Sequence, residues 1–128
     1  MYDAVRWKTL LSGKLREMAM CQVAAINGAD YEWAAHAPIA LREGATQAQL
    51  DALPDWSASD AFDATERAAL ALCDAMTKYV HVPDEIFAAA RIALPERELV
   101  ELVVTIASYN CVSRVLEALG INGADKLV

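Results

Sequence analysis

The stretch LVVTIASYNCVS, residues 102–113, limits the fold of this chain more than any other segment. It is the longest near-apolar run, and from Glu101 to Arg114 the chain is apolar almost all round when wound as a helix. A helix apolar on every side has to be covered on every side. The run carries polar residues and is too short to cross a bilayer, so burial in protein is the remaining explanation. In 128 residues two arrangements achieve this. Either the helix is the centre of one bundle, or another subunit covers part of it. Apolar residues make up 56% of the chain, above the usual share for a soluble domain, and that excess favours the second arrangement.

No segment alternates polar and apolar residues as a half-buried strand does, and nearly every segment repeats at the helical period. A short first helix is expected over residues 3–11, broken by Ser12-Gly13. A second covers residues 14–26, where Leu15, Met18, Cys21 or Gln22, Ala25 and Ile26 recur at steps of three and four. Asn27-Gly28 stops it. A third runs from Ala29 or Asp30 to Arg42 or Glu43, with Gly44 just past its end. Pro38 lies inside it, where a bend or a restart is expected. Thr46, with Gln49 three residues later, makes a capping-box pattern for a short helix that Pro54 ends. DWSASDAF is expected to be loop. A fifth helix starts near Asp63 or Thr65 and reaches Tyr79, a short one opens at Pro83, and the last opens at Pro95 and reaches Leu119 before Gly120. The tail INGADKLV is expected to fray. The expected fold class is therefore all-α, one helical domain of about six helices over residues 1–128.

The net charge is −7, and no cluster of Lys or Arg offsets it, so neither nucleic acid nor an anionic membrane is an expected partner. The opening MYDAVRWKTLLSGK has neither the apolar core nor the cleavage pattern of a signal peptide. Cys21, Cys73 and Cys111 are odd in number, far apart and without a CxxC, which is not a disulfide framework. Each falls in an apolar helical setting, so each is expected to be a small buried hydrophobe in a reduced, cytoplasmic protein.

One pair of residues stands out against this apolar background. Glu32 and His36 in YEWAAHAP are spaced i,i+4, so their side chains can meet. From local sequence alone the pair reads first as an ion pair on the wet face of an amphipathic helix. The alternative is a proton-handling pair, since a neighbouring carboxylate raises an imidazole pKa and fixes its tautomer. A metal is not expected: a catalytic zinc site needs a third ligand, and nothing ties His81, the only other histidine, to His36. Glu17 is a further acid of interest, set among mostly apolar neighbours with Arg16 beside it and Cys21 four residues on.

The stretch LREMAMCQVAAINGADYEWAAHAPIALREGATQAQLDAL resembles the carboxymuconolactone decarboxylase family, whose superfamily includes the alkylhydroperoxidase D type of disulfide reductases. ERAALALCDAMTKYVHVPDEIFAAA and ERELVELVVTIASYNCVSRVLEALGI resemble the rest of the same domain, so the likeness covers residues 14–121. It implies an all-helical, alkylhydroperoxidase D-like fold and assembly into trimers, or hexamers built from them, with sites near subunit contacts. In the peroxidase branch a glutamate, a CxxC pair and a histidine form a proton relay. Glu17 and His36 match the glutamate and the histidine, but the cysteine positions fall on Ala29 and Glu32, which leaves no dithiol to oxidise and re-form. In the decarboxylase branch the pattern is a glutamate followed four residues later by a histidine, which Glu32 and His36 match.

The resemblance thus implies cofactor-free acid–base chemistry on a small carboxylated lactone or carbonyl compound, with His36 and Glu32 transferring the proton and Glu17 in support. Cys21, Tyr109, Asn110 and Arg114 are candidates to line the pocket, structural use being the first expectation for Asn110 and Arg114. Two other functions stay open: a peroxidase-like antioxidant protein using a lone thiol such as Cys21, and a non-catalytic oligomeric protein that binds a small molecule.

Overall fold

In a computed structural model describing residues 2–121, seven α-helices and one 3₁₀ helix account for the regular structure, with no strand among the described residues. The helices are α1 (Tyr2–Trp7), α2 (Gly13–Asn27), α3 (Asp30–Arg42), α4 (Gln47–Ala52), α5 (Ala64–Tyr79), α6 (Asp84–Ala93) and α7 (Glu96–Ala118), with the 3₁₀ helix at Leu53–Ala58. The chain is all-α as expected, and its seven α-helices agree with the expected domain of about six. Residues 122–128 of the tail expected to fray lie outside the described residues.

α2 is the axis of the bundle. Its side chains are buried without interruption from Leu15 to Ala24, and it packs against α3, α7 and α5. Ser12 caps its first turn by accepting from the Leu15 amide, and Gly28 ends it with φ at 65°, in the left-handed region that costs a glycine nothing. The core divides on its two sides. Leu15, Ala19, Met20 and Val23 pack with Leu72 and Cys73 of α5 and with Leu99, Leu102, Ile106 and Tyr109 of α7. Met18 and Cys21 pack with Ala40, Leu50, Leu53, Phe62 and Leu70.

The centre of the bundle is thus α2, so of the two arrangements open to the last helix the central one does not hold. α7 buries Leu99, Leu102, Thr105, Ile106, Ser108, Tyr109, Ser113 and Leu116. It leaves Val100 56%, Val104 43% and Val115 51% exposed, and Leu119, just past its end, 70%, with Ala107 and Cys111 on the same outer side. By length and composition α7 could cross a membrane; here its inner side lies on α2 and α5.

Local boundaries depart from expectation where distant residues intervene. α1 stops at Trp7 instead of reaching Leu11. The amides of Leu10 and Leu11 donate to the carboxylate of Glu101, at 2.7 and 3.0 Å, in place of helical bonds. Pro38 is accommodated inside one continuous α3. Thr46 and Gln49 form both bonds of the capping box. Pro54 does not open a loop but sits in the first turn of the 3₁₀ helix, which takes in the first four residues of DWSASDAF. Asp63 caps α5 with Glu66 in a second capping box.

Of the cysteines, Cys21 and Cys73 are buried, but Cys111 is exposed. It falls on the outer side of α7, and a helix apolar all round carries no periodic signal of which side that is.

Candidate functional site

α2 and α3 meet along their length, and the seam between them is charged. Glu17 comes from α2, Glu32 and His36 from successive turns of α3. Nδ1 of His36 lies 2.7 Å from Oε2 of Glu17, and Nε2 lies 3.2 Å from Oε2 of Glu32. The histidine thus bridges two carboxylates, one on each ring nitrogen. Glu17 is 0%, His36 5% and Glu32 6% exposed, so this is no ion pair on a wet helix face. Water is kept off by α2 below and by Tyr109 of α7, whose ring meets the imidazole edge-on at 5.0 Å between centroids.

The charges nearly cancel. Nε–H of Arg16 donates to Oε1 of Glu17 at 3.4 Å, and Arg16 is itself buried. With an imidazolium at His36, two cations alternate with two anions, the condition under which buried charge is tolerated. Burial opposes the ring's charge, but hydrogen bonds to Glu17 and then Glu32, together with their negative charge, outweigh it. The His36 pKa is raised above its ordinary 6.5. The stabilisation linked to this shift is complete below the unfolded value and is lost as pH rises through the raised folded value.

α1 closes the end of the seam. The Tyr2 ring packs edge-on against Tyr109 at 6.1 Å between centroids, and its hydroxyl donates to the Ser108 carbonyl at 3.3 Å. Arg6 and Arg16 both lie over the Trp7 ring, 4.8 and 5.5 Å from its centroid. Burial pushes the Tyr109 hydroxyl up, and the Arg6 charge opposes that. Sequence reasoning overlooked Tyr2, Arg6 and Trp7. A six-residue helix has little periodicity of its own, and only the spacing of Tyr2, Val5 and Arg6 hints at a shared inner face.

The other pocket candidates are distributed differently. Cys21 is fully buried one turn beyond Glu17; burial first, and the Glu17 charge second, push its thiol up to about 12. Asn110 and Arg114 do not join His36. Oδ1 of Asn110 accepts from Asn27 at 3.0 Å and from Arg114 at 2.8 Å, while its Nδ2 donates to Thr77 and to the Ile106 carbonyl. Those bonds tie α7 to α2 and α5, a structural use. A groove of about 640 Å³ between α1 and α7 is lined by Ala4, Val5, Lys8, Val100 and Val104, and no residue of the His36 cluster lines it. Among the described residues no group of three or more donors is placed to hold a metal ion. Glu17 and Glu32 sit on opposite nitrogens of one imidazole and do not converge.

The arrangement can hold a proton on a shielded imidazole and release it from one side. Nδ1 is locked at the shorter distance to a carboxylate that is wholly buried, whereas Nε2 makes the longer contact with the more accessible Glu32.

Comparison with known proteins agrees with this architecture. Residues 1–75 match the carboxymuconolactone decarboxylase family. The uncharacterised protein YdfG of Bacillus subtilis is 30% identical over 113 residues, spanning 87% of this chain and 77% of that protein. Among solved structures, an Agrobacterium tumefaciens protein of unknown function, called a putative antioxidant defence protein AhpD, superposes with a TM-score of 0.88 at 22% identity, over 99% of this chain and 86% of that one. A peroxidase-related protein from Silicibacter gives 0.83 at 20% identity, over 94% and 64%. The debrominase Bmp8 in complex with 2,3,4-tribromopyrrole gives 0.82 at 21% identity, over 94% and 65%. At these identities the superpositions establish the alkylhydroperoxidase D-like fold.

Proposed function

The chain belongs to the carboxymuconolactone decarboxylase family, and from that premise we propose that it is a cofactor-free acid–base enzyme acting on a small carboxylated lactone or carbonyl compound. One observation carries this reading: the buried imidazole of His36 is held between two carboxylates, with its charged form favoured. In such a reaction the bond between the substrate carbon and its carboxylate breaks, carbon dioxide leaves, and the electron pair stays as an enolate conjugated with the carbonyl. The imidazolium delivers the Nε2 proton to that carbon, and solvent returns a proton to the ring by way of Glu32, so one proton is consumed per carbon dioxide released. Glu17 stays on Nδ1 and stabilises the imidazolium. No step needs a thiolate, and a thiol pushed to about 12 such as Cys21 is a poor nucleophile at neutral pH.

The unpaired thiols suit the reducing cytoplasm, where we place the protein. Self-association into a trimer, or a hexamer built from trimers, belongs to the same proposal. The exposed apolar row along α7, with Trp7 56% and Leu10 62% exposed near α1, is the surface we assign to a second copy.

The experiment measures carbon dioxide release, and deuterium uptake from heavy water at the former carboxylate carbon, from lactones bearing a carboxylate β to a carbonyl or its vinylogue. His36→Gln is expected to lower turnover by about 10²- to 10⁴-fold, and a variant with all three cysteines changed to serine is expected to retain it. Loss of turnover in a folded cysteine-free variant, with His36→Gln unaffected, contradicts the reading and favours thiol chemistry.

A further inference from the structure

Arg6 is the cation of the site that lacks a counter-charge. Among the described residues it forms no ion pair, whereas Arg16, which lies over the same Trp7 ring at 5.5 Å against 4.8 Å for Arg6, is paired with Glu17 and Glu43. Its Nε–H is shut off from solvent and meets no acceptor. A buried donor left idle on a guanidinium is costly, and such groups normally have a partner in the working state. One electrostatic effect and one shared contact connect Arg6 with the His36 cluster. Its charge acts on Tyr109, the residue whose ring lies against the imidazole. It also shares the Trp7 ring with Arg16, whose Nε–H reaches Glu17. The cluster proper is balanced, with Arg16 and His36 positive and Glu17 and Glu32 negative. Glu43, at 3.9 Å from Arg16, adds a third anion at the exposed edge, and Arg6 is the one cation of the group with no anion in contact.

We infer that Arg6 is the anion-holding residue of this site: its guanidinium receives the carboxylate of the substrate, so that the site selects monoanions over neutral molecules of the same shape. The inference rests on the function proposed above and names the group that reads the substrate's charge. Arginine suits the task because its planar fork meets a carboxylate in two parallel hydrogen bonds and stays charged at every working pH. The carboxylate in turn satisfies the idle Nε–H. Once the carboxylate leaves as carbon dioxide its charge moves to the enolate, close enough for the same cation to stabilise it. Trp7, over which both guanidinium groups lie, keeps Arg6 in place.

The test uses γ-carboxy-γ-butyrolactone, a stable carboxylated lactone, and its methyl ester. Binding is measured by calorimetry while the His36 ring resonances are followed by NMR. The wild-type chain is expected to bind the acid at least about tenfold more tightly than the ester, the worth of one charge-assisted hydrogen bond. Arg6→Gln is expected to bring the acid down to the level of the ester and leave ester binding unchanged, and Arg6→Lys to recover part of the preference. Equal binding of acid and ester by the wild type, no binding of the acid, or a preference that survives Arg6→Gln overturns the assignment. So does an Arg6→Gln variant that loses acid and ester alike, which marks a merely structural role. The acid–base reading is judged separately, by the titration of His36 without ligand.

Discussion

α2 carries Arg16, Glu17 and Gln22 and hides all of them, whereas α7 carries no charge between Leu102 and Ser113 yet leaves Val104, Ala107 and Cys111 in solvent. Composition alone would assign these two helices the opposite places. The difference lies in what each side chain finds across the interface. On α2 each buried charge meets a fixed partner, Arg16 reaching Glu17 and Glu17 reaching His36, while the neutral Gln22 donates through Nε2 to Asp74 at 2.8 Å and leaves its Oε1 without a protein partner. Partnered polar groups can be taken out of water at modest cost, and unpartnered ones cannot. On α7 the single chain offers partners to the inner side only. An apolar row is left outside that a second copy is proposed to cover. In the proposed reading the buried charge network serves chemistry and the exposed apolar row serves assembly.

The largest effect is expected where α2 loses a charge. Glu17→Ala removes the carboxylate between Arg16 and His36, leaving Arg16 only the 3.9 Å contact with Glu43 and His36 only the 3.2 Å contact with Glu32. Urea unfolding at pH 7 is expected to show a loss of about 3–5 kcal/mol. A loss below about 1 kcal/mol would mean that the seam admits water and that the network is not buried in solution. A much smaller effect on the protomer is expected from the matching change on α7. Val104→Glu sits at a half-open position and should alter intrinsic helix content little, with stability of the protomer kept within about 0.5 kcal/mol. Light scattering on a sizing column is expected to show a trimer, or a multiple of one, falling to the mass of a single chain. A wild-type protein that already runs as a single chain at micromolar concentration would remove the assembly half of the comparison.

The parts of this molecule legible in the sequence are the local ones. The capping box at Thr46, the stop at Gly28 and the helix from Asp30 to Arg42 are written in residues a few positions apart, so the sequence shows them directly. The i,i+4 spacing of Glu32 and His36 is equally plain. Its burial is not, because the groups that cover it arrive from α2 and, through Tyr109, from a helix more than seventy residues later. Local sequence therefore favoured a wet surface pair. α1 stops early for the same kind of reason, since the carboxylate that captures the Leu10 and Leu11 amides belongs to Glu101. Cys111 is exposed against expectation because an all-apolar helix does not say which side it buries. Arg6 passed unnoticed because its meaning lies in a partner it lacks.

The central claim is that Glu17 and Glu32 together hold a shielded His36 in its charged form. NMR titration of the His36 imidazole, in the wild-type chain and in Glu32→Gln, tests it most directly. The account predicts a wild-type pKa above about 6.5, and a fall of well over a few tenths of a unit when Glu32 loses its charge, with helix content and oligomer unchanged. A wild-type value at or below the ordinary one, or a shift in Glu32→Gln no larger than solvent-screened surface pairs produce, would contradict it.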